Sequence, residues 1–149
     1  MDDERKIREN KQHYEKWLSC GFTGEMVVDE CGWCVMGNNL TGEEVTVFDK
    51  GYLNKAIVRF VQLPNKHWIS GSEAFCRTHG HSWGLNIWNK QYNTKEEALD
   101  EALNRIEREI DEKDRKTLIK KVEEVRNRFK QDTLLLPVVT EHFEQVTLF

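Results

Sequence analysis

Cys31-Gly32-Trp33-Cys34 and Cys76-Arg77-Thr78-His79 are two pairs of potential metal ligands, each with a two-residue spacer. That spacer lets both side chains of a knuckle turn toward one ion. Two such knuckles supply the four tetrahedral positions of a closed zinc site. The pattern therefore raises a structural zinc held by Cys31, Cys34, Cys76 and His79, with His81 just beyond. A second expectation stands beside it: Cys34 and Cys76 behave as small apolar residues of buried strands, and the histidines as polar loop residues. The 41 residues between the pairs are many for a compact zinc module. A redox Cys-x-x-Cys needs a thiolate held at a helix N-terminus, whereas the residues around Cys31 read as strand.

Other chemistry is harder to assemble. The chain has no Gly-rich phosphate loop, no Gly-x-Ser-x-Gly and no His-x-Glu beside a Cys-x-x-Cys, the patterns of nucleotide, acyl-transfer and deaminase sites. His67, Cys76 and His81 lie on strand-like segments, where they read as ordinary surface and core neighbours. The sequence leaves enzyme activity open and supports none. Charge offers a further possibility. Residues 95–112 carry 3 basic and 8 acidic side chains, and residues 113–130 carry 8 basic and 3 acidic. Acids first and bases last complement a helix dipole. The basic half, Arg115, Lys116, Lys120, Lys121, Arg126, Arg128 and Lys130, is alternatively a phosphate-facing strip for nucleic acid. Trp33, Trp68, Phe75, Trp83, Trp88 and Tyr92 are expected mostly in the core, with a few left exposed for stacking.

The elements that must position these residues are of both kinds. Residues 2–19 read as a helix with Ile7, Tyr14, Trp17 and Leu18 on one face and Gly21 as its stop. Met26–Val28, Trp33–Met36 and Val45–Phe48 look like strand material around a Gly37-Asn38-Asn39 turn. Residues 56–63, 67–76 and 83–88 predict a meander with turns at Pro64–Lys66 and Thr78–Ser82. Thr94-Lys95-Glu96-Glu97 is a capping box that opens a helix. Its apolar positions Leu99, Leu103, Ile106 and Ile110 recur at spacings of 4, 3 and 4, as do Leu118, Val122, Val125 and Phe129. The apolar-free Asp111–Arg115 between them slips the phase. The region is therefore two helices or one long helix of about 55 Å; the second apolar seam would then await a partner, such as a second copy. Pro137 should end it, and residues 132–149 predict an extended arm. The fold class is thus α+β: an N-terminal helix, an antiparallel sheet of three to five strands, a long or broken C-terminal helix and an arm. The domain spans residues 1–131.

At 149 residues, 38% hydrophobic and 32% charged, the chain is long enough for one real core. A net charge of −4 argues against a generally basic nucleic-acid coat but permits a local patch. No apolar run approaches the roughly 20 residues of a membrane helix, and the start, Met1-Asp2-Asp3-Glu4-Arg5, is not a signal peptide. A cytoplasmic setting is expected, with thiols free or metal-bound.

Gln145-Val146-Thr147-Leu148-Phe149, read as Gln-x-Thr-Leu-Phe, resembles the peptide by which many bacterial replication, repair and DNA-modifying proteins hold the DNA sliding clamp. The resemblance covers five residues. It implies that the Gln145 amide hydrogen-bonds at a cleft edge and that Leu148 and Phe149 fill an apolar pocket. A short motif at a free end suits entry into another protein's groove. An edge strand of the chain's own domain is the alternative. The helix–strands–helix order also resembles the double-stranded-RNA-binding domain, although Glu96 stands where that family has a phosphate-gripping Lys. Residues 57–110 resemble small strand–strand–strand–helix modules of plasmid, phage and conjugative-element proteins. Together these imply a non-enzymatic accessory protein of bacterial or mobile-element DNA metabolism, tethered to the clamp through Gln145, Leu148 and Phe149. A nucleic-acid-binding module using the 115–130 strip and a self-assembling protein remain the alternatives.

Overall fold

The computed structural model describes residues 2–51 and 53–147, with side chains described for 3–51 and 53–130. The chain runs α1 (Asp2–Ser19), β1 (Glu43–Asp49), β2 (Lys55–Gln62), β3 (Trp68–Phe75), β4 (Gly80–Trp83), α2 (Lys95–Glu109) and α3 (Glu112–Thr147). The strands form one antiparallel sheet in the order β1-β2-β3-β4. This is the expected α+β class, with the sheet at four strands.

Alternation along the strands divides the sheet into two faces. Ala56, Val58 and Phe60 of β2 and Ala74 of β3 meet Leu99, Leu103 and Ile106 of α2 and Leu118, Val122, Val125 and Phe129 of α3 in one core. Val61, Leu63 and Ile69 turn the other way, into a second core with Trp17, Cys20, Leu85 and Ile87. Cross-strand ion pairs occupy part of that second face: Arg59 reaches Glu44 at 3.1 Å and Glu73 at 3.3 Å.

The helical region is two helices. Ile110 caps α2 in an extended conformation (ψ 126°), and α3 begins at Glu112. The phase slip has its cause here: both apolar sets face the same sheet, and a single straight helix could not present them together. Leu118, Val122, Val125 and Phe129 are all at most 9% exposed. The seam expected to await a second copy is therefore covered by the chain's own sheet, because α3 turns back at Asp111.

Four further expectations change. On α1 Trp17 is buried, as is Cys20 just past its end, while Ile7 is 69% exposed. The stacked rings of Tyr14, Trp17 and Phe22 set which face turns inward. Met26–Val28 and Trp33–Met36 form only a single bridge, Val28 to Cys34. The backbone of α3 continues as helix past Pro137 to Thr147, where an extended arm was expected. The last strand is displaced as well: β4 is Gly80–Trp83, so of the expected 83–88 only Trp83 lies in it. The Cys76 N–H donates to the His79 carbonyl at 2.9 Å, so only Arg77 and Thr78 form the turn and Gly80 is already in β4.

Gly71 matters to this arrangement. A Cβ there would lie 2.4 Å from the Trp83 carbonyl oxygen, so a larger residue would push the edge strand away.

Candidate functional site

The Cys31–Cys34 knuckle forms, but as a hairpin against α1. Asp29 Oδ1 accepts from the Cys31 and Trp33 amides at 2.9 Å. Lys6 Nζ donates to the Cys31 carbonyl and Asn10 to the Gly32 carbonyl, each at 2.8 Å. Cys34 is buried and Cys31 exposed. The second pair sits elsewhere, on the β3–β4 turn where it docks onto the α2–α3 junction. Thr78 hydrogen-bonds Asp111 through both its hydroxyl and its amide, and Arg77 holds Asp114 at 2.6 Å. His79 faces Asp111 at 3.8 Å. Burial and the nearby carboxylates of Asp111, Glu109 and Asp114 push the Cys76 thiol up to about 11, so it stays protonated at neutral pH. Among the described residues, no group of three or more His, Cys, Asp and Glu is placed to hold a metal ion. Cys31, Cys34, Cys76 and His79 are not brought together as a ligand set.

A polar cluster that the sequence reading did not assemble lies between β3, β4 and α2. Ser72 Oγ is 2.7 Å from His81 Nε2, and His81 Nδ1 is 3.6 Å from Glu109 Oε1. Arg105 Nε donates to Ser72 Oγ at 3.1 Å, and its Nη2 reaches Ser70 Oγ at 3.3 Å. Arg105 can only donate, so Ser72 accepts from it, and the hydroxyl keeps a second lone pair and its own proton for the His81 side. Burial lowers the His81 pKa, with Glu109 opposing the shift.

The order Ser–His–carboxylate has the contacts of an acyl-transfer relay. The decisive quantity is exposure: Ser72 is 0% exposed and a lone pair faces Arg105. A nucleophile must reach its substrate, and this hydroxyl cannot. The cluster instead satisfies buried polar atoms where α2 crosses the sheet. The signal that could have found it was Ser70 and Ser72 on the inward face of a strand, which require polar partners from the covering helix. Beside it, the Arg105 guanidinium lies 5.1 Å from the centre of the Trp83 ring.

The basic strip of α3 is partly consumed. Arg126 ion-pairs with Asp100, with Glu107 at 2.6 Å and with Glu123 at 3.4 Å. Arg115 donates to the Ile110 carbonyl at 3.1 Å, closing the end of α2, and approaches Glu112 at 3.5 Å. Lys121 approaches Glu124 at 3.9 Å, and Arg128 lies over Phe129. Lys116, Lys120, Arg128 and Lys130 remain exposed. Seven cations do not therefore form one phosphate-facing row. The side chain of Gln145, and Leu148 and Phe149 entirely, lie outside the described residues.

Comparison of the chain with family models, curated proteins and solved structures finds no match. Among the described residues no helix is long and apolar enough to cross a membrane.

Proposed function

We propose that this chain is a non-enzymatic accessory protein of bacterial or mobile-element DNA metabolism, tethered to the replication sliding clamp by Gln145-Val146-Thr147-Leu148-Phe149. The observation that carries the reading is that peptide: an amide, two spacer residues and an adjacent Leu-Phe pair. The layout of α3 supports it. Phe129 is the last core-packed residue among the described side chains, and Gln145 follows sixteen residues later, roughly 24 Å along a helix. Capture in a groove requires Gln145–Thr147 to leave the final helical turn. That turn has carbonyls without intrahelical donors, so opening it is cheap.

The test is calorimetry of a Glu141–Phe149 peptide, and of the full chain, against a bacterial clamp. Affinity in the micromolar class is expected, since a short segment is ordered on binding. Leu148→Ala with Phe149→Ala should abolish it by removing most of the buried apolar area. Absence of saturable binding by peptide and chain alike would end the reading.

A further inference from the structure

We propose that the outer edge of β4 is a docking site for an extended acidic segment of a partner protein, which adds a fifth strand to the sheet and sets a carboxylate on the Arg105 guanidinium beside Trp83. The inference goes beyond the clamp reading and does not depend on it.

β4 is the last strand in the order β1-β2-β3-β4, so one side of it has no neighbour in the sheet. The ladder says which groups lie there. The Cys76 N–H bonds the His79 carbonyl at the turn, and hydrogen-bonded pairs recur at every second residue of an antiparallel ladder. His81 and Trp83 therefore bond β3, while the N–H and C=O of Gly80 and Ser82 point outward. Both residues are exposed, and these outward groups have no backbone partner among the described residues. The opposite edge is guarded: β1 has a bulge at Val47 and acids at Glu43, Glu44 and Asp49, devices that discourage an added strand. β4 has no bulge, proline or lysine. It is short, however, so few backbone bonds form there and the affinity must come from side chains beside it.

Trp83 and Arg105 supply them. Trp83 pairs with Ser72, so it stands on the α2 face of the sheet, and 57% of it is exposed. A Cβ on the next residue, Gly84, would meet nothing within 4 Å, so the approach past the ring is open. The Arg105 guanidinium lies 5.1 Å from the ring centre, with Nε and Nη2 fixed by Ser72 and Ser70. Its Nη1 has no hydrogen-bond partner, and the group has no ion-pair partner, among the described residues. The carboxylates around it are engaged elsewhere. Glu101 approaches Arg108 at 3.9 Å, Glu109 faces His81 at 3.6 Å, and Glu73 meets Arg59 at 3.3 Å on the other face. Burial lowers the Arg105 pKa, with Glu101 opposing the shift. A partly desolvated cation without a counter-charge is costly, and a carboxylate from outside offsets that cost. In an added strand the residue opposite Trp83 shares its face, which brings its side chain beside the guanidinium; opposite His81, Glu109 would repel an acid. An exposed tryptophan and a pre-oriented arginine are also the residue types that dominate binding energy at interfaces. A second copy does not meet the need. β4 paired antiparallel with itself about His81 or Ser82 sets a histidine opposite Trp83 and brings no carboxylate.

The experiment selects short random peptides displayed on phage against the full chain, then measures the enriched sequence as a free labelled peptide by fluorescence anisotropy. Enrichment of strand-forming sequences with Asp or Glu at one shared position is expected. Replacing that acid by Asn or Gln should weaken binding about tenfold or more, as loss of a hydrogen bond to a charged group does. N-methylation of the peptide amides that pair with Ser82 should weaken it likewise, with the protein unchanged. Trp83→Ala should lose about tenfold, with circular dichroism to check that the variant is folded. Trp88→Ala, on the side of α1, should bind as wild type. So should Leu148→Ala with Phe149→Ala, which separates this result from the clamp reading. The chain should sediment as a monomer; a dimer dispersed by Ser82→Pro would mean that a second copy holds the edge, and would overturn the proposal. No enrichment, enriched peptides without a shared acid, or full binding by Trp83→Ala would overturn it as well.

Discussion

Ser72 Oγ and His81 Nε2 meet at 2.7 Å across the pairing of β3 with the edge strand β4, where burial favours the neutral imidazole. Arg105 already donates to Ser72. A protonated His81 would place a second cation beside that guanidinium. Because burial lowers the folded pKa of His81, the unfolded chain binds the extra proton first. The contribution is complete above the unfolded value of about 6.5 and is lost as pH falls from there through the folded value. Urea unfolding midpoints should decline in that window, and His81→Gln should remove the decline. A wild-type midpoint that stays flat from pH 7.5 to 5.5 would contradict it.

A second acid transition should follow. The Arg77 guanidinium holds the Asp114 carboxyl below its usual range, and the Thr78 hydroxyl does the same for Asp111. Both folded values are depressed, so their contribution is present above about 3.9 and is lost as pH falls through the folded values. Asp111→Asn should shrink this step and raise amide exchange in the Arg77–Thr78 turn without affecting α1.

Arg126 ties α3 to α2 through Glu107 at 2.6 Å. Burial, with Glu123 nearby, already raises the Glu107 pKa. Removing the guanidinium would leave that carboxylate with Arg115 alone to offset its charge, beyond ion-pair distance. Arg126→Ala should cost about 2 kcal/mol by chemical denaturation, between the values for exposed and buried pairs. Arg126→Ala combined with Glu107→Gln should cost less than the two changes added.

Val122 is 0% exposed. Val122→Asp should unfold the body, costing about 3–5 kcal/mol for an unpaired charge in the core. An intersubunit seam would instead lose an oligomer and keep its melting temperature, so sedimentation together with a thermal melt tells the two apart.

The four cysteines should label in order of access. Cys31 is exposed, whereas Cys20 and Cys34 are buried and Cys76 is half-buried with its thiol raised to about 11. Reactivity follows the thiolate fraction. Alkylation of native protein at pH 7.5, mapped by mass spectrometry, should find Cys31 modified first. Modification of Cys76 before Cys31 would refute the assignment.

Local signals carried much of this architecture in the sequence. The capping box at Thr94 forms the bond it implies, with the Glu97 amide donating to Thr94 Oγ1 at 3.1 Å. The Leu99–Ile110 and Leu118–Phe129 repeats are both buried, because a 3.6-residue period needs only neighbouring side chains to be visible. The inference weakened wherever the deciding partner was distant in sequence. Whether the second repeat faced a stranger or the chain's own sheet depended on a turn at Asp111, which is fixed by Thr78 and Arg77 more than thirty residues away. The zinc pattern gave spacing within each pair, but only the fold could say whether two pairs 41 residues apart converge, and α1 holds one while the α2–α3 junction holds the other. Ser72, His81, Arg105 and Glu109 showed no motif at all, since their relation is made by sheet register and helix crossing. The seven cations of residues 115–130 looked alike in sequence; the acids of α2 removed Arg126 from the row. Spacing along the chain determined the elements, and packing between elements decided which side chains remain free to bind.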